Sequence, residues 1–259
     1  MPNTALITGA SSGIGAELAR IHAAKKGDLV LVARRRDRLD ALKAELETAH
    51  GVKVMVIAED LTDAGAPQRI HAAVTEAGIT VDYLINNAGL GARGLFHAMP
   101  WEQSLAMIQV NAIALAGLTR AFLPEMVARN SGRILNVTST AAEMPGPLQA
   151  IYFATKGFAA YLSNALVEEL RDTRVTVTNL MPMATATEFA EVAGMAGTAL
   201  FANTASPRAV AQGGYDGMLR GDMDAYGGMT TKRRIMQAIV KVMPKRAALR
   251  AVRRAQEAS

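Results

Sequence analysis

Cysteine is absent from the 259 residues, which removes any disulfide framework and any cysteine-ligated metal site. The opening MPNTALITGASSG has no basic segment leading into an apolar h-region, so no signal peptide is expected. No uninterrupted apolar run approaches the ~18–20 residues of a spanning helix, and a cytoplasmic protein is the expectation. Internal repeats and low-complexity linkers are missing too, and composition does not shift before about residue 220. Charge of one sign is scarce until the end of the chain. From Leu219 onward ten Lys/Arg stand against three Asp/Glu, whereas the rest carries 18 against 20. The net charge of +5 therefore belongs to a tail, and it gives no ground for a nucleic-acid partner.

What is present is a long alternation. Apolar runs at 4–8, 28–33, 52–58, 81–86, 133–139 and 174–180 read as strands, and their continuous apolarity suits strands covered on both faces. Helical patterns lie between them near 13–27, 37–50, 67–77, 101–129 and 150–172. Such alternation implies right-handed crossovers and an α/β fold with a doubly wound, Rossmann-like parallel sheet. The expected organisation is a single domain over 1–220 with a basic C-terminal helical tail over 221–259.

TGASSGIG (8–15) follows the first strand and opens a helix. Gly9 permits a tight turn, Gly13 lets the backbone approach a diphosphate, and Gly15 allows close helix–sheet packing. The helix N-terminus then offers free N–H groups and a positive dipole end. In such folds the residue that selects the adenosine ribose ends the second strand. Ala33 lies 18 residues after Gly15 and is not acidic. Arg34 follows, and a planar guanidinium can grip a phosphate through two parallel bonds. NADP(H) is the implied cofactor, with Arg34 ranked first, Arg35 second and Arg36 read as solvated.

Tyr152 and Lys156 in YFATK are four residues apart on a predicted helix and share one face. A nearby ammonium favours a phenolate, so the pair suits general acid/base chemistry. Ser139 closes the run RILNVTS, where its hydroxyl is placed to bond a substrate oxygen. Glycine loop, serine and Tyr/Lys pair, in this order, resemble the short-chain dehydrogenase/reductase family over roughly residues 4–190. NNAG (86–89), Asp60 in AEDLTD and Asn111 in MIQVNAIA fit the same family. The resemblance implies a catalytic set of Ser139, Tyr152, Lys156 and Asn111, with Tyr152 exchanging the proton and Asn111 linking Lys156 to solvent. It also implies cofactor contacts at Gly9, Ser11, Ser12, Gly13, Ile14, Gly15, Asp60, Leu61, Asn87, Ala88, Gly89, Pro182 and Thr187, besides the arginines, Tyr152 and Lys156. One departure is Met183, which stands where the family usually has glycine after the proline.

The expected substrate loop, 184–206, holds two carboxylates and no basic residue, which points to a largely apolar carbonyl or alcohol substrate. His97 has no second ligand at metal spacing, so no metal is expected. In the tail, Ile235, Met236, Ile239, Val240 and Met243 fall at helical spacing, and Pro244 interrupts the pattern. That tail has three readings: packing on the domain or a partner subunit, contact with an anionic membrane surface, or covering a long substrate. Family resemblance further implies a homodimer or homotetramer through the helices near 101–129 and 150–172. Two alternatives remain open, a catalytically silent cofactor-binding regulator and a 3-oxoacyl thioester reductase.

Overall fold

The apolar runs do become strands, and each alternates its side chains between two covered faces. The computed structural model describes residues 3–201, 203–228 and 243–257. Strands β1 (Thr4–Thr8), β2 (Asp28–Ala33), β3 (Val54–Ala58), β4 (Tyr83–Asn86), β5 (Gly132–Val137), β6 (Val175–Leu180) and β7 (Asp224–Ala225) form one sheet in the order β3-β2-β1-β4-β5-β6-β7. Every pairing is parallel, for example Ile7 with Leu31 and with Ile85. Ile7, Leu29 and Leu31 point into one core with Leu18, Leu39 and Tyr215. Leu6, Val30 and Val32 point into the other with Ile70, Leu118 and Phe122. Helices α1 (Gly13–Ala24) and α2 (Arg36–His50) therefore cover one face, and α3 (Ala66–Glu76) covers the other.

The helical stretch Trp101–Ala128 is α4 (Trp101–Ile108), a π-helical segment (Gln109–Ala114) and α5 (Leu115–Ala128). By length and mean hydropathy it is apolar enough to cross a membrane, although polar residues interrupt it. Half of its apolar stretch is buried within the fold, as in a core helix. α6 (Ala150–Glu169) follows β5, and a short α7 (Phe189–Val192) lies in the loop after β6.

Two elements escape the sequence pattern. α8 (Pro207–Arg220) starts at Ser206, whose side chain accepts from the Ala209 N–H at 3.1 Å. It ends at Gly221 in the left-handed region, φ 76°. β7 then pairs Ala225 with Leu180, so the sheet runs past the boundary expected at 220. Most of the tail's apolar stripe, Ile235 to Val240, lies outside the described residues. Beyond it Pro244 caps α9 (Lys245–Gln256), whose Ala248, Leu249, Val252, Ala255 and Gln256 face inward while its arginines stay exposed.

Candidate active site

A cleft of about 480 Å³ runs across the carboxyl ends of the strands, where the order reverses between β1 and β4 and such sheets take their ligands. Of the residues expected at the site, all line this cleft except Gly15 and Asn111, which stand just behind it. The glycine loop is built as its chemistry requires. Gly9 has φ +65°, and a Cβ there would come within 2.9 Å of Ala88 Cα. A Cβ on Gly13 would meet Thr187 Cγ2 at 2.9 Å, which places Thr187 directly over the loop. Ser12 precedes α1 without capping it, so the first N–H groups of that helix face the cleft as an anion site. These cradles fit a dinucleotide diphosphate.

NNAG braces the loop from below. Asn87 Nδ2 donates to the Thr8 carbonyl at 2.9 Å, and Thr8 Oγ1 accepts from the Asn87 and Ala88 N–H groups, both at 3.0 Å. Asn86 donates to Asn136 Oδ1 at 2.9 Å and Thr119 Oγ1 at 3.1 Å. Asn136 in turn donates to Ser163 at 2.8 Å, so a buried polar chain ties β4 and β5 to α6. Each link in such a chain is costly to break because its partner would be left unpaired.

The arginines take different positions. Arg34 is 63% exposed and, among the described residues, approaches Asp60 at 4.0 Å. Arg35 instead turns onto the glycine loop, where Nη2 donates to Ser11 Oγ at 3.1 Å and Ser12 Oγ at 2.9 Å. Its Nη1 donates to Glu188 at 2.9 Å, and Arg38 donates to the other oxygen of the same carboxylate at 2.5 Å. Arg38 and Arg35 together hold Glu188 down at about 2. Arg34 stands in a bend just after β2 and Arg35 in the extended residue that precedes α2, so the two side chains leave the strand end in different directions. Arg36 is solvated and pairs with Asp40 at 3.4 Å. Asp60 Oδ1 accepts from the Thr62 N–H at 3.0 Å, closing a turn at the rim of the cleft.

At the centre of the cleft β5 ends at Val137, two residues short of Ser139. Ser139 caps a 3₁₀ turn (Thr140–Glu143), its Oγ accepting from the Ala141 N–H at 3.0 Å. The Pro182 carbonyl accepts from Thr140 N–H at 3.1 Å, joining this turn to the end of β6. Lys156 is 5% exposed, donates to the Val137 carbonyl at 2.8 Å, and lies 5.9 Å from the centroid of the Tyr152 ring. Burial pushes Lys156 down to about 8 and Tyr152 up to about 12, with the Ser139 hydroxyl pulling Tyr152 partly back. Desolvation therefore outweighs the pull of the Ser139 hydroxyl, and the phenol is raised where the sequence led to the expectation of a lowered one.

Asn111 sits in the π-helical segment, and its amide is fully engaged. Oδ1 accepts from Leu90 N–H at 2.8 Å; Nδ2 donates to the Leu90 carbonyl at 2.8 Å and to Thr155 Oγ1 at 3.1 Å. A Cβ on Gly89 would lie 3.3 Å from Lys156 Nζ and 3.5 Å from Asn111 Oδ1, so the two side chains flank that glycine. Here Asn111 holds the strand-end loop in place. His97 is exposed, and among the described residues no cluster of potential metal ligands occurs.

The far end of the cleft is lined by Leu90, Met144, Phe189, Val192, Met195 and Phe201, and by Val252, Ala255 and Gln256 of α9. Arg93 staples it, donating to the Gly194 carbonyl and to the Gln256 carbonyl, both at 3.1 Å. Gln149, Glu188 and Arg93 are residues the motifs do not reveal.

A family model described as short chain dehydrogenase matches residues 3–195. The chain is 34% identical over 192 residues to the very-long-chain 3-oxoacyl-CoA reductase of Bos taurus, covering 73% of this chain and 61% of that protein's length. It is 37% identical over 190 residues to the NADP-dependent 3-hydroxy acid dehydrogenase of Salmonella typhi, covering 72% and 75%. A short-chain dehydrogenase from Sphingobium yanoikuyae, solved in complex with NADPH, superposes with a TM-score of 0.83 at 32% identity, covering 95% of this chain and 97% of that one.

Proposed function

The chain belongs to the short-chain dehydrogenase family, oxidoreductases that work between a nicotinamide cofactor and a C=O or CH–OH group, and we propose that this one uses NADP(H) on a largely apolar carbonyl compound or secondary alcohol. The observation that carries the cofactor choice is Arg35. It bonds both loop serines beside Ala33, where an acidic residue would otherwise repel a ribose 2′-phosphate. Arg35 is assigned the 2′-phosphate, with Arg34 on the opposite side of it. NADP(H), when bound, supplies or accepts the hydride.

The chain's own residues supply placement and the proton. In the reductive direction Ser139 donates a hydrogen bond to the substrate carbonyl oxygen and holds it beside Tyr152. Tyr152, protonated at neutral pH, gives its phenolic proton to that oxygen as charge builds there. The Lys156 ammonium, charged below about 8, stabilises the phenolate left behind. Oxidation of the alcohol runs the same transfers backward. Asn111 and Thr155 position the loop that carries Gly89 and Leu90.

A substrate rich in hydrocarbon is supported by the Met, Phe and Val lining at the far end of the cleft. Among such substrates, a 3-oxoacyl thioester is favoured by the likeness to the Bos taurus reductase. A silent cofactor-binding regulator is disfavoured, because a buried lysine beside a tyrosine is costly and serves binding alone poorly. Self-association is supported by apolar side chains on α4, the π-helical segment and α6, with Leu105 at 41%, Ile113 at 44%, Phe158 at 46% and Tyr161 at 74% exposure. Light scattering on the purified chain tests it. The reaction is tested by a ketone and alcohol screen with NADPH and NADH. NADPH-preferring turnover is the expected result, and turnover that survives Tyr152→Phe in full would overturn the mechanism.

A further inference from the structure

Two glutamines in the cleft lack what a buried amide requires. Gln256, in the last turn of α9, is 1% exposed, and among the described residues neither Nε2 nor Oε1 has a hydrogen-bond partner. Gln149, just before α6 and three residues ahead of Tyr152, is 2% exposed, and its Nε2 is likewise unpartnered. Both line the same cleft. Leaving a buried amide group unpaired forfeits its hydration with nothing in return, so such groups call for an explanation. Neither side chain is assigned any part in the hydride or proton steps.

Their backbones are held firmly while their amides are not. The Gln256 carbonyl is fixed by Arg93 at 3.1 Å. The Gln149 N–H donates to the Gly146 carbonyl at 3.1 Å, and the Gln149 carbonyl accepts from Phe153 at 3.0 Å. The neighbouring Leu148 carbonyl accepts from Gly94 at 2.8 Å. Three loops and α9 thus converge on two glutamines that line an otherwise apolar end of the cleft.

We propose that Gln149 and Gln256 form a second recognition subsite, for an uncharged oxygen function carried by the substrate at a distance from the reacting carbonyl. Gln149 offers a donor, which suits a carbonyl oxygen. Gln256 offers a donor and an acceptor, which suits a hydroxyl or a secondary amide. A carboxylate is the wrong partner, because it would face Gln256 Oε1 with no cation in the lining of that end. Arg93 is occupied with the Gly194 and Gln256 carbonyls. The substrate class is therefore an ester, thioester, amide or hydroxy-ketone with a long apolar part, and not the free keto acid. This rests on the cleft being the reductase site proposed above, and it narrows that proposal.

The test compares three long-chain ketones of matched length: a 3-oxo ester, the plain ketone and the 3-oxo acid. Each is assayed with NADPH against the unmodified chain, Gln149→Leu, Gln256→Leu and Gln256→Glu. The expected result is a preference for the ester over the ketone of about tenfold or more, the size of one well-made hydrogen bond. Each Leu variant should reduce that ratio by about tenfold, while Gln256→Glu should weaken ester and acid alike. Melting temperature gives an independent reading. Gln256→Leu should hold or raise it without ligand, because an unpaired amide is removed, and should reduce the shift produced by the non-reducible diester analogue measured in parallel. An ester-to-ketone ratio unchanged in both Leu variants, or a preference for the acid, overturns the subsite. Loss of NADPH turnover on every ketone overturns the reductase reading instead, and the diester shift then still judges the subsite.

Discussion

The two ends of the cleft treat polar groups in opposite ways. Around the glycine loop, polar side chains are interlocked: Arg35 with Ser11, Ser12 and Glu188, and Asn87 with Thr8 and Gly9. At the end closed by α9, the lining is mostly hydrocarbon, and among the described residues Gln149 Nε2 and both amide atoms of Gln256 are unpaired. A region whose ligand has a fixed charge pattern can be pre-assembled from paired groups that hold one geometry. A region that reads a neutral, mostly apolar molecule gains from leaving a few hydrogen-bonding groups open. Tyr152 and Lys156 sit at the seam, belonging to neither regime.

The sharpest way to break this division is at the seam. Tyr152→Phe should reduce turnover by about 10²- to 10⁴-fold, the usual weight of a positioned acid/base, while NADPH binding measured by fluorescence stays near its original strength. At the interlocked end, Arg35→Ala should raise the KM for NADPH by about 10- to 100-fold, as for a lost charge-assisted pair, and barely move that for NADH. Arg34→Ala should have the smaller effect; the reverse order would restore the ranking that the bare sequence suggests. The pH dependence follows from Lys156, whose proton is lost above about 8 in the empty cleft. Because Tyr152 stays protonated up to about 12, the fall in reductive kcat/KM should begin near pH 8, approach tenfold per unit and trace the ammonium. Smallest is Glu188→Gln. It frees Arg35 and Arg38 from an internal carboxylate, so the Kd for NADPH should tighten a few-fold, with a steeper salt dependence, and the Kd for NADH should not.

The sheet and the centre of the site are legible in the sequence because each rests on a short-range rule. Unbroken apolar runs such as DLVLVA mark doubly covered strands, and glycines at 9, 13 and 15 mark backbone that tolerates no side chain. Arg35 is hidden by counting alone, because it lies past the end of β2 and its direction is set by the bend at Arg34 and the start of α2. α8 is obscured by Gly213, Gly214 and Gly217, which lower helix propensity. Those glycines are needed because Cβ atoms on Gly213 and Gly217 would press within 2.8 Å of Gly227 Cα and 2.7 Å of Ala225 Cβ. Gln149 and Gln256 are 107 residues apart, and no local pattern predicts that they line one cavity. Ser139 falls beyond its strand because the chain turns into a 3₁₀ segment that its own hydroxyl caps.

The π-helical segment Gln109–Ala114 sets a constraint of length on the helix from Trp101 to Ala128. Such a segment is the trace of one residue more than the regular helical phase accommodates. Removing any single residue between 109 and 114 would leave hydrophobicity almost untouched and let the helix regularise. Because the flanks already keep the phase of a helix one residue shorter, such a deletion would leave the Leu118–Phe122–Met126 stripe against its core and alter only the segment's own register, where Asn111 meets Leu90. Deletions between 112 and 114 should therefore be tolerated better than deletions within α4 or α5, a pattern that a single-residue deletion scan of this helix would display.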